Sequence, residues 1–547
     1  MQAAHNTSSI TSSVNERRFL AHLRDMFTAK TTVIAEVMQN ARRAGASAVH
    51  LDFNNGNLTV TDNGCGVANF RDLITVAESG WSEDVQSSEQ PFGIGFFSVS
   101  FSADTVRVES RGKQITFASG DLIEKKPIPI ETSEFIGGTR ITLIDCKLSE
   151  ASIAEAVRAF AKGFSIPVYW QGEALPQPHA LANLKLIDTG VGHICIGGLG
   201  DIENPSFNSK GVVYCQGLPI GVSQFSELYG VSDSSVIVHI DFQRYKPRMP
   251  DRTCLIDEND AYKAIIQSIK QVWQEVILAQ KAILDIQTFA DRFWDIARRA
   301  GCLSVMNDVP YIPAKAIDSV DEYPEVSTDW SSCWSNPARG ISQDDVSSGK
   351  VTICQDFTED DCPNGDGFIR LTAAMSRGWL FISHLPSEHW ANEHLKDLLS
   401  MDLRIGGKVL AEELFSGAWT SARVKLFQEL SVCLDGEWIK LDDAVAMRNE
   451  EWSGDGVVFV PKPAKAPGYV LKQLSNYVNE HNEYQETDAD LDHDKFDSLV
   501  AIMAGEQAST TVEKCLLSAS TTVKRNLYNK VFLVRFDDKG NPTVTEQ

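Results

Sequence analysis

Glu36 and Asn40 stand one helical turn apart in the run TVIAEVMQNARRAGASAVHLDF, and that pair suggests chemistry. A carboxylate beside a neutral amide suits a site where one group handles a proton and the other helps hold a metal ion. Asp62 follows in TDNGCGV, with Gly64 and Gly66 leaving room for a backbone to approach a flat ligand closely. Gly93 and Gly95 precede FFSVSF. Glycines at a helix entrance expose N–H groups to an anion such as a phosphate. An acidic anchor, a phosphate cradle and a Glu/Asn helix together describe a nucleotide pocket, although a lone Gly-x-Gly would describe only a turn.

The elements that must position these groups are readable from periodicity. Val33, Ile34, Val37, Met38 and Ala41 recur at helical spacing, which predicts a helix with one buried face carrying Glu36 and Asn40. AVHLDF and NLTVTD alternate as strands around Asn55-Gly56, a strong hairpin signal, so Asp62 emerges at a strand end. FFSVSF reads as a buried helix. The polar, Ser-rich residues from Glu78 to Gln90 read as a flap over the pocket.

In order and spacing, EVMQNARRAGASAVHLDF, TDNGCGV, PFGIGFFSVSFSADTVRVES and GGTRITL resemble the GHKL ATPase superfamily. That superfamily includes the ninety-kilodalton heat-shock chaperones, MutL, type II topoisomerases and histidine kinases. The third segment is most similar to the chaperone branch, while the first two also have MutL-like features. The resemblance implies an N-terminal GHKL (Bergerat) α/β sandwich and a slow ATPase that requires ATP and Mg2+. It also implies roles. Glu36 would be the general base, Asn40 would bind magnesium, and Asp62 would take the adenine amino group. Gly64, Gly66, Gly93 and Gly95 would shape the pocket, and Thr139 would support the adenine end.

The basic loop RYKPRMPDRTCLID follows an apolar strand and gathers Arg244, Lys246, Arg248 and Arg252. In the superfamily a second domain lends a basic side chain to the γ-phosphate. Arg252 is the first choice for that role, with Lys246 or Arg248 as alternatives.

Length and composition set the outer bounds. The 547 residues allow roughly three or four domains, at about 150 residues each. The expected organisation is a flexible N-terminus (1–14), an ATP-binding domain (15–180), a second α/β domain (181–280) and a C-terminal mixed α/β region without a recognised fold (281–547). The net charge of −24 argues against broad duplex-DNA binding, which needs clustered Lys and Arg, yet it leaves room for a local basic patch. No apolar run approaches the ~18 residues of a membrane helix. No secretory signal is read, and the 11 cysteines are scattered without C-x-x-C, so a cytoplasmic protein with reduced thiols is expected. Cys65 inside the pocket motif reads as a small filler residue.

Several weaker signals are set aside. EDDCPNGDG lacks the acidic spacing of a calcium loop, and His384, His389 and His394 lack an H-E-x-x-H frame. No G-K-[ST] step is present. The polar, Trp-bearing stretch from Asp329 to Gly349 reads as a loop, and EYQETDADLDHDKFD (Glu483 to Asp497) as an exposed acidic linker.

The function expected is an ATP-driven conformational clamp, chaperone-like and acting on protein clients. A MutL-like or topoisomerase-like DNA-associated ATPase is one alternative, and a weakly catalytic nucleotide switch in a larger assembly is another. An ATP-dependent homodimer follows only from the resemblance.

Overall fold

The computed structural model describes residues 11, 15–26, 32–76, 78, 80–81, 86, 93–226, 235–249, 252–317, 339–356, 364–449, 455–474, 486–505, 509, 525, 527–537 and 541–547. The protein is mixed α/β. By contacts the chain divides into two compact units. One is Met1–Ile277 with Arg299–Gly301, and the other is Leu278–Arg298 with Cys302–Gln547. The flexible N-terminus expected over 1–14 lies outside the described residues, apart from position 11.

In the first unit the chain runs α1 (Glu16–Met26), α2 (Thr32–Arg43), β1 (Val49–Asn54), β2 (Asn57–Asp62), α3 (Arg71–Ile74), α4 (Gly95–Phe101), β3 (Ala103–Ser110), β4 (Lys113–Ala118), α5 (Ser119–Glu124), β5 (Ile130–Thr132), β6 (Thr139–Cys146), α6 (Glu150–Ala161), β7 (Val168–Trp170) and β8 (Glu173–Ala174). The strands form one eight-stranded sheet in the order β5-β4-β3-β6-β2-β1-β7-β8. Every pairing is antiparallel except β1 with β7, which α6 separates in sequence.

Register explains the core. Leu51, Val60, Ile141, Val108 and Ile115 lie in one row across five strands, and Leu58, Leu143, Val106 and Phe117 lie in the next. All nine are buried. Their alternation with exposed or half-buried neighbours is that of a sheet with one covered face. The cover is helical. In α2 the apolar Val33, Ile34, Val37, Met38 and Ala41 are buried, so the opposite flank carries Glu36 and Asn40 half-buried.

A second sheet follows in the same unit: β9 (Ile187–Thr189), β10 (Gly192–Ile196), β11 (Gly211–Cys215), β12 (Leu218–Ile220) and β13 (Val236–Ile240), ordered β12-β11-β13-β10-β9. The helix α7 (Glu258–Lys281) opens with Glu258 and Asp260, which complement its dipole, and buries Ala261, Ile265, Ile269 and Trp273 at helical spacing. α8 (Ile286–Ala300) comes next.

The second unit corrects one expectation. The acidic stretch near 483–497 is not a linker, because residues Glu486–Met503 form an α-helix. Ala489, Asp492, Phe496 and Val500 recur along it and are buried, with the Phe496 ring 5.1 Å from that of Phe415. The Asp492 carboxylate accepts the N–H groups of Ala418 and Trp419 in the turn after strand Val409–Ser416. A buried aspartate with that many donors organises structure. Of the stretch read as a polar loop, the described part holds a short strand, Ile341–Ser342, and a helical turn, Gln343–Ser347; 318–338 lie outside the described residues. Asp366 of the calcium-like segment forms a buried two-pronged pair with Arg370, and His389 is buried beside Trp294 and Trp390. Among the described residues, no helix is long and apolar enough to cross a membrane.

Candidate functional site

The register that builds the core also aims Asp62. Side chains at 58, 60 and 62 of β2 share a face, so Asp62 continues the row begun by buried Leu58 and Val60. Its lateral neighbours are Val49 on β1 and Thr139 on β6, and Thr139 in turn pairs with Ser110 on β3. The helix-facing row therefore changes from apolar to polar at this end of the sheet. Burial pushes the Asp62 carboxyl above the usual aspartate range, opposed by the Gly64 N–H and by the N–H and hydroxyl of Thr139. The Gly64 N–H lies 2.8 Å from Oδ1.

The turn after Asp62 is held from several sides. Cys65 N–H donates to the Ala44 carbonyl at the end of α2. Asn63 exchanges two hydrogen bonds with Ser47, and the Arg111 guanidinium donates to the Cys65 carbonyl. Gly66 has φ +72°, and a Cβ there would meet Ser110 Oγ at 2.6 Å, so both backbone and space require glycine. Ser110 Oγ accepts from Val67 N–H and donates to the Gly138 carbonyl.

These elements enclose a cavity of about 300 Å³. Val37, Val60, Val108 and Ile141 supply apolar wall. Glu36 and Asn40 enter from α2, Asp62 and Thr139 from the sheet, Gly66 from the turn, and Gly93 and Gly95 from the entrance of α4. Gly64 stands behind Asp62 as its donor and is not part of the wall. A Cβ at residue 95 would fall 2.1 Å from Glu36 Cδ and 2.2 and 2.4 Å from its two oxygens. Glycine is thus what allows the Glu36 carboxylate to lie against the start of α4. Of the expected flap, Glu78, Gly80 and Trp81 line the cavity; 79, 82–85 and 87–90 lie outside the described residues.

The basic loop separates its own candidates. Arg252 lines the cavity, whereas Lys246 and Arg248 do not. The Lys246 ammonium sits 4.4 Å above the Phe242 ring. Arg252 has φ +55°, with its N–H donating to the Arg248 carbonyl; an isolated bridge Pro247–Leu255 closes the loop on itself, and the bridge Gly221–Cys254 ties it to the end of β12 in the second sheet.

Motif spacing alone passes over Ser110, Arg111, Trp81 and Gln39. Ser110 is discoverable, since Val106, Val108 and Ser110 alternate inward on β3. The other three depend on contacts distant in sequence. Gln39, for example, donates from Nε2 to the Gln216 carbonyl at 2.9 Å.

No family model matches the chain, and no curated protein matches it. An apolar slot with a buried carboxylate acceptor suits a planar heterocycle bearing an amino group. A carboxylate and an arginine lining the same cavity suit an anion whose hydrolysis needs a base and a charge clamp. Among the described residues, no group of three or more His, Cys, Asp or Glu could hold a metal ion. Magnesium does not need one, because it is usually held by one or two protein groups plus substrate phosphates and water.

Proposed function

We propose that this chain is a GHKL-type ATPase, binding and hydrolysing ATP in the cavity between α2 and the eight-stranded sheet. One observation carries the reading. Glu36, Asn40, Asp62, Thr139 and Arg252, contributed by α2, two strands and a distant loop, line a single cavity. Scattered residues that converge in this way are what a nucleotide site requires.

Asp62 and Thr139 orient the adenine, and Gly66 leaves the backbone room beside it. Gly93 and Gly95 leave room for the phosphates. Magnesium, when bound with the nucleotide, neutralises phosphate charge, and Asn40 is the neutral oxygen donor that the cavity offers it. Glu36 accepts a proton from the attacking water, and its setting against Gly95 holds the carboxylate ready for that task. Arg252 pairs with the γ-phosphate, presenting two N–H groups to it. ADP lacks that partner, so the loop that carries Arg252 engages in one nucleotide state and disengages in the other. Action on protein clients follows from the chaperone-like segment alone and is proposed on that footing.

The test is calorimetry with ATP and GTP, alongside phosphate release, on wild-type protein and Glu36→Ala. ATP should bind in preference to GTP, and Glu36→Ala should retain binding while losing about 10²–10⁴ in turnover. Absence of ATP binding by the wild type would end the proposal. Loss of binding together with turnover would make Glu36 a structural group.

A further inference from the structure

We infer that a concavity lined by Phe207, Lys210, Tyr262, Ile266, Lys270 and Arg299 binds single-stranded nucleic acid. It lies in the first unit, to which Arg299 belongs by its contacts, and none of these residues lines the nucleotide cavity. It measures about 530 Å³, and Asn208 and Ser209 complete its wall.

The charge is the first argument. The chain carries 74 acidic and 50 basic residues, so a hollow lined by cations alone runs against the overall charge. Lys210, Lys270 and Arg299 nevertheless converge on one concavity with no carboxylate in its wall. Among the described residues none of the three joins an ion pair, although Lys126, Lys281, Lys350, Lys440 and Lys530 all do. Three unneutralised cations around a hollow attract a polyanion.

Shape and aromatic content narrow the ligand. Tyr262, Ile266 and Lys270 are spaced i, i+4, i+8 on α7, forming a stripe about 12 Å long at 1.5 Å per residue. One end of the stripe is an aromatic ring and the other an ammonium. Phe207 adds a second ring to the wall, and it lies 6.4 Å from the fully buried Trp273, which anchors it to α7. Cations to follow a phosphate chain, interleaved with rings on which bases stack, are the means by which single strands are held without sequence preference. A duplex hides its base faces and could use only the charges, and the acidic remainder of the chain opposes its wider phosphate surface.

The experiment is fluorescence anisotropy with a labelled twelve-nucleotide oligothymidylate over a range of salt. Wild-type protein should bind it at least tenfold more tightly than a twelve-base-pair duplex. Lys210→Gln with Lys270→Gln should weaken binding at least tenfold and lower the salt slope by about 1.4, at roughly 0.7 for each phosphate no longer neutralised. Tyr262→Leu keeps apolar bulk and removes the ring, so it should weaken binding roughly fivefold or more with the slope unchanged. Both variants should keep the wild-type melting curve. Wild-type affinity in the double lysine variant would overturn the inference, as would equal binding of the duplex. Displacement of the oligonucleotide by ATP, with loss of binding in Asp62→Asn, would assign the interaction to the nucleotide cavity and also overturn it. None of these readouts needs ATP hydrolysis, so the site and the ATPase proposal can fail separately.

Discussion

Gly95→Ala isolates the position of Glu36 from its presence. The added methyl would stand 2.1–2.4 Å from the Glu36 carboxylate atoms. An ordinary contact is about 3.5 Å, so the carboxylate must retreat by roughly 1.1–1.4 Å. It is the free end of a flexible side chain, and it can yield without disturbing the backbone. Residue 95 is the first of helix α4 and does not have positive φ, so alanine fits the main chain; stability should change by less than about 1 kcal/mol, if anything upward. Turnover is different. A displacement of about 1 Å in a reacting group can cost about 10²-fold, close to 2.7 kcal/mol in the barrier.

The assay is single-turnover phosphate release with saturating ATP, with affinity measured separately by calorimetry. Gly95→Ala should bind ATP within a few-fold of wild type and turn it over about 10²-fold more slowly. The double variant Glu36→Ala/Gly95→Ala should be no slower than Glu36→Ala alone, because the second change has nothing left to displace. Wild-type turnover in Gly95→Ala, with an unchanged melting temperature, would refute the reasoning that Glu36 acts from its place against α4. Additive losses would show that Gly95 matters for some other reason.

Asp62→Asn should weaken ATP binding at least tenfold, since removing a charged hydrogen-bond partner costs about 1.5–3 kcal/mol. The Asp62 pKa is raised on folding, so its contribution to stability is fully present below the unfolded value and is lost as pH rises through the folded one. Titrating ligand-free protein upward from acid should show that loss for wild type and not for Asp62→Asn, whereas matching pH profiles for the two proteins would contradict it. Arg252→Ala should leave ATP affinity within a few-fold while slowing hydrolysis by about 10² or more. In wild type, a non-hydrolysable ATP analogue, but not ADP, should slow amide exchange near Arg252; identical exchange with both nucleotides would remove the switch. In the second unit, Asp492→Ala strands the Ala418 and Trp419 donors and should destabilise that unit by about 3 kcal/mol in urea unfolding, and a loss below about 1 kcal/mol would mean that water replaces the carboxylate.

Much of the cavity beside α2 is legible because it rests on local periods. A period of two places Asp62 inward with Leu58 and Val60, and a period of 3.6 places Glu36 and Asn40 together on α2. The acidic helix escapes such a reading for a different reason. Ala489, Asp492, Phe496 and Val500 do repeat at helical spacing, but a carboxylate occupies the apolar stripe, and charge composition outweighs the period. Its acceptance of two backbone N–H groups from a turn more than 70 residues away leaves no local trace. The same applies to the basic loop. Its composition announces an anion partner, yet only the folded loop, closed by Pro247–Leu255 and bridged to Gly221 through Cys254, separates Arg252 from Lys246.

The helix α2 joins the cavity to the second sheet through adjacent positions. Glu36 and Asn40 face the cavity, while Gln39 beside them is buried and donates to the carbonyl of Gln216, in the turn between β11 and β12. Arg42 Nε donates to Gln39 Oε1, so the amide is held at both ends and its tie to the second sheet is fixed in orientation. Residues 36 and 39 are separated by only about 4.5 Å along the helix axis. Rotation or translation of α2 large enough to move Glu36 must therefore strain the Gln39–Gln216 bond or carry the hairpin with it. The loop bearing Arg252 is bridged to that sheet through Gly221 and Cys254, just beyond β12. Glu36 and Arg252 are thereby linked through a backbone-anchored path that does not pass through the cavity. On the proposed ATPase reading, a nucleotide would have two handles on one mechanical element, and a switch needs that arrangement if engagement of the γ-phosphate at one handle is to be felt at the other.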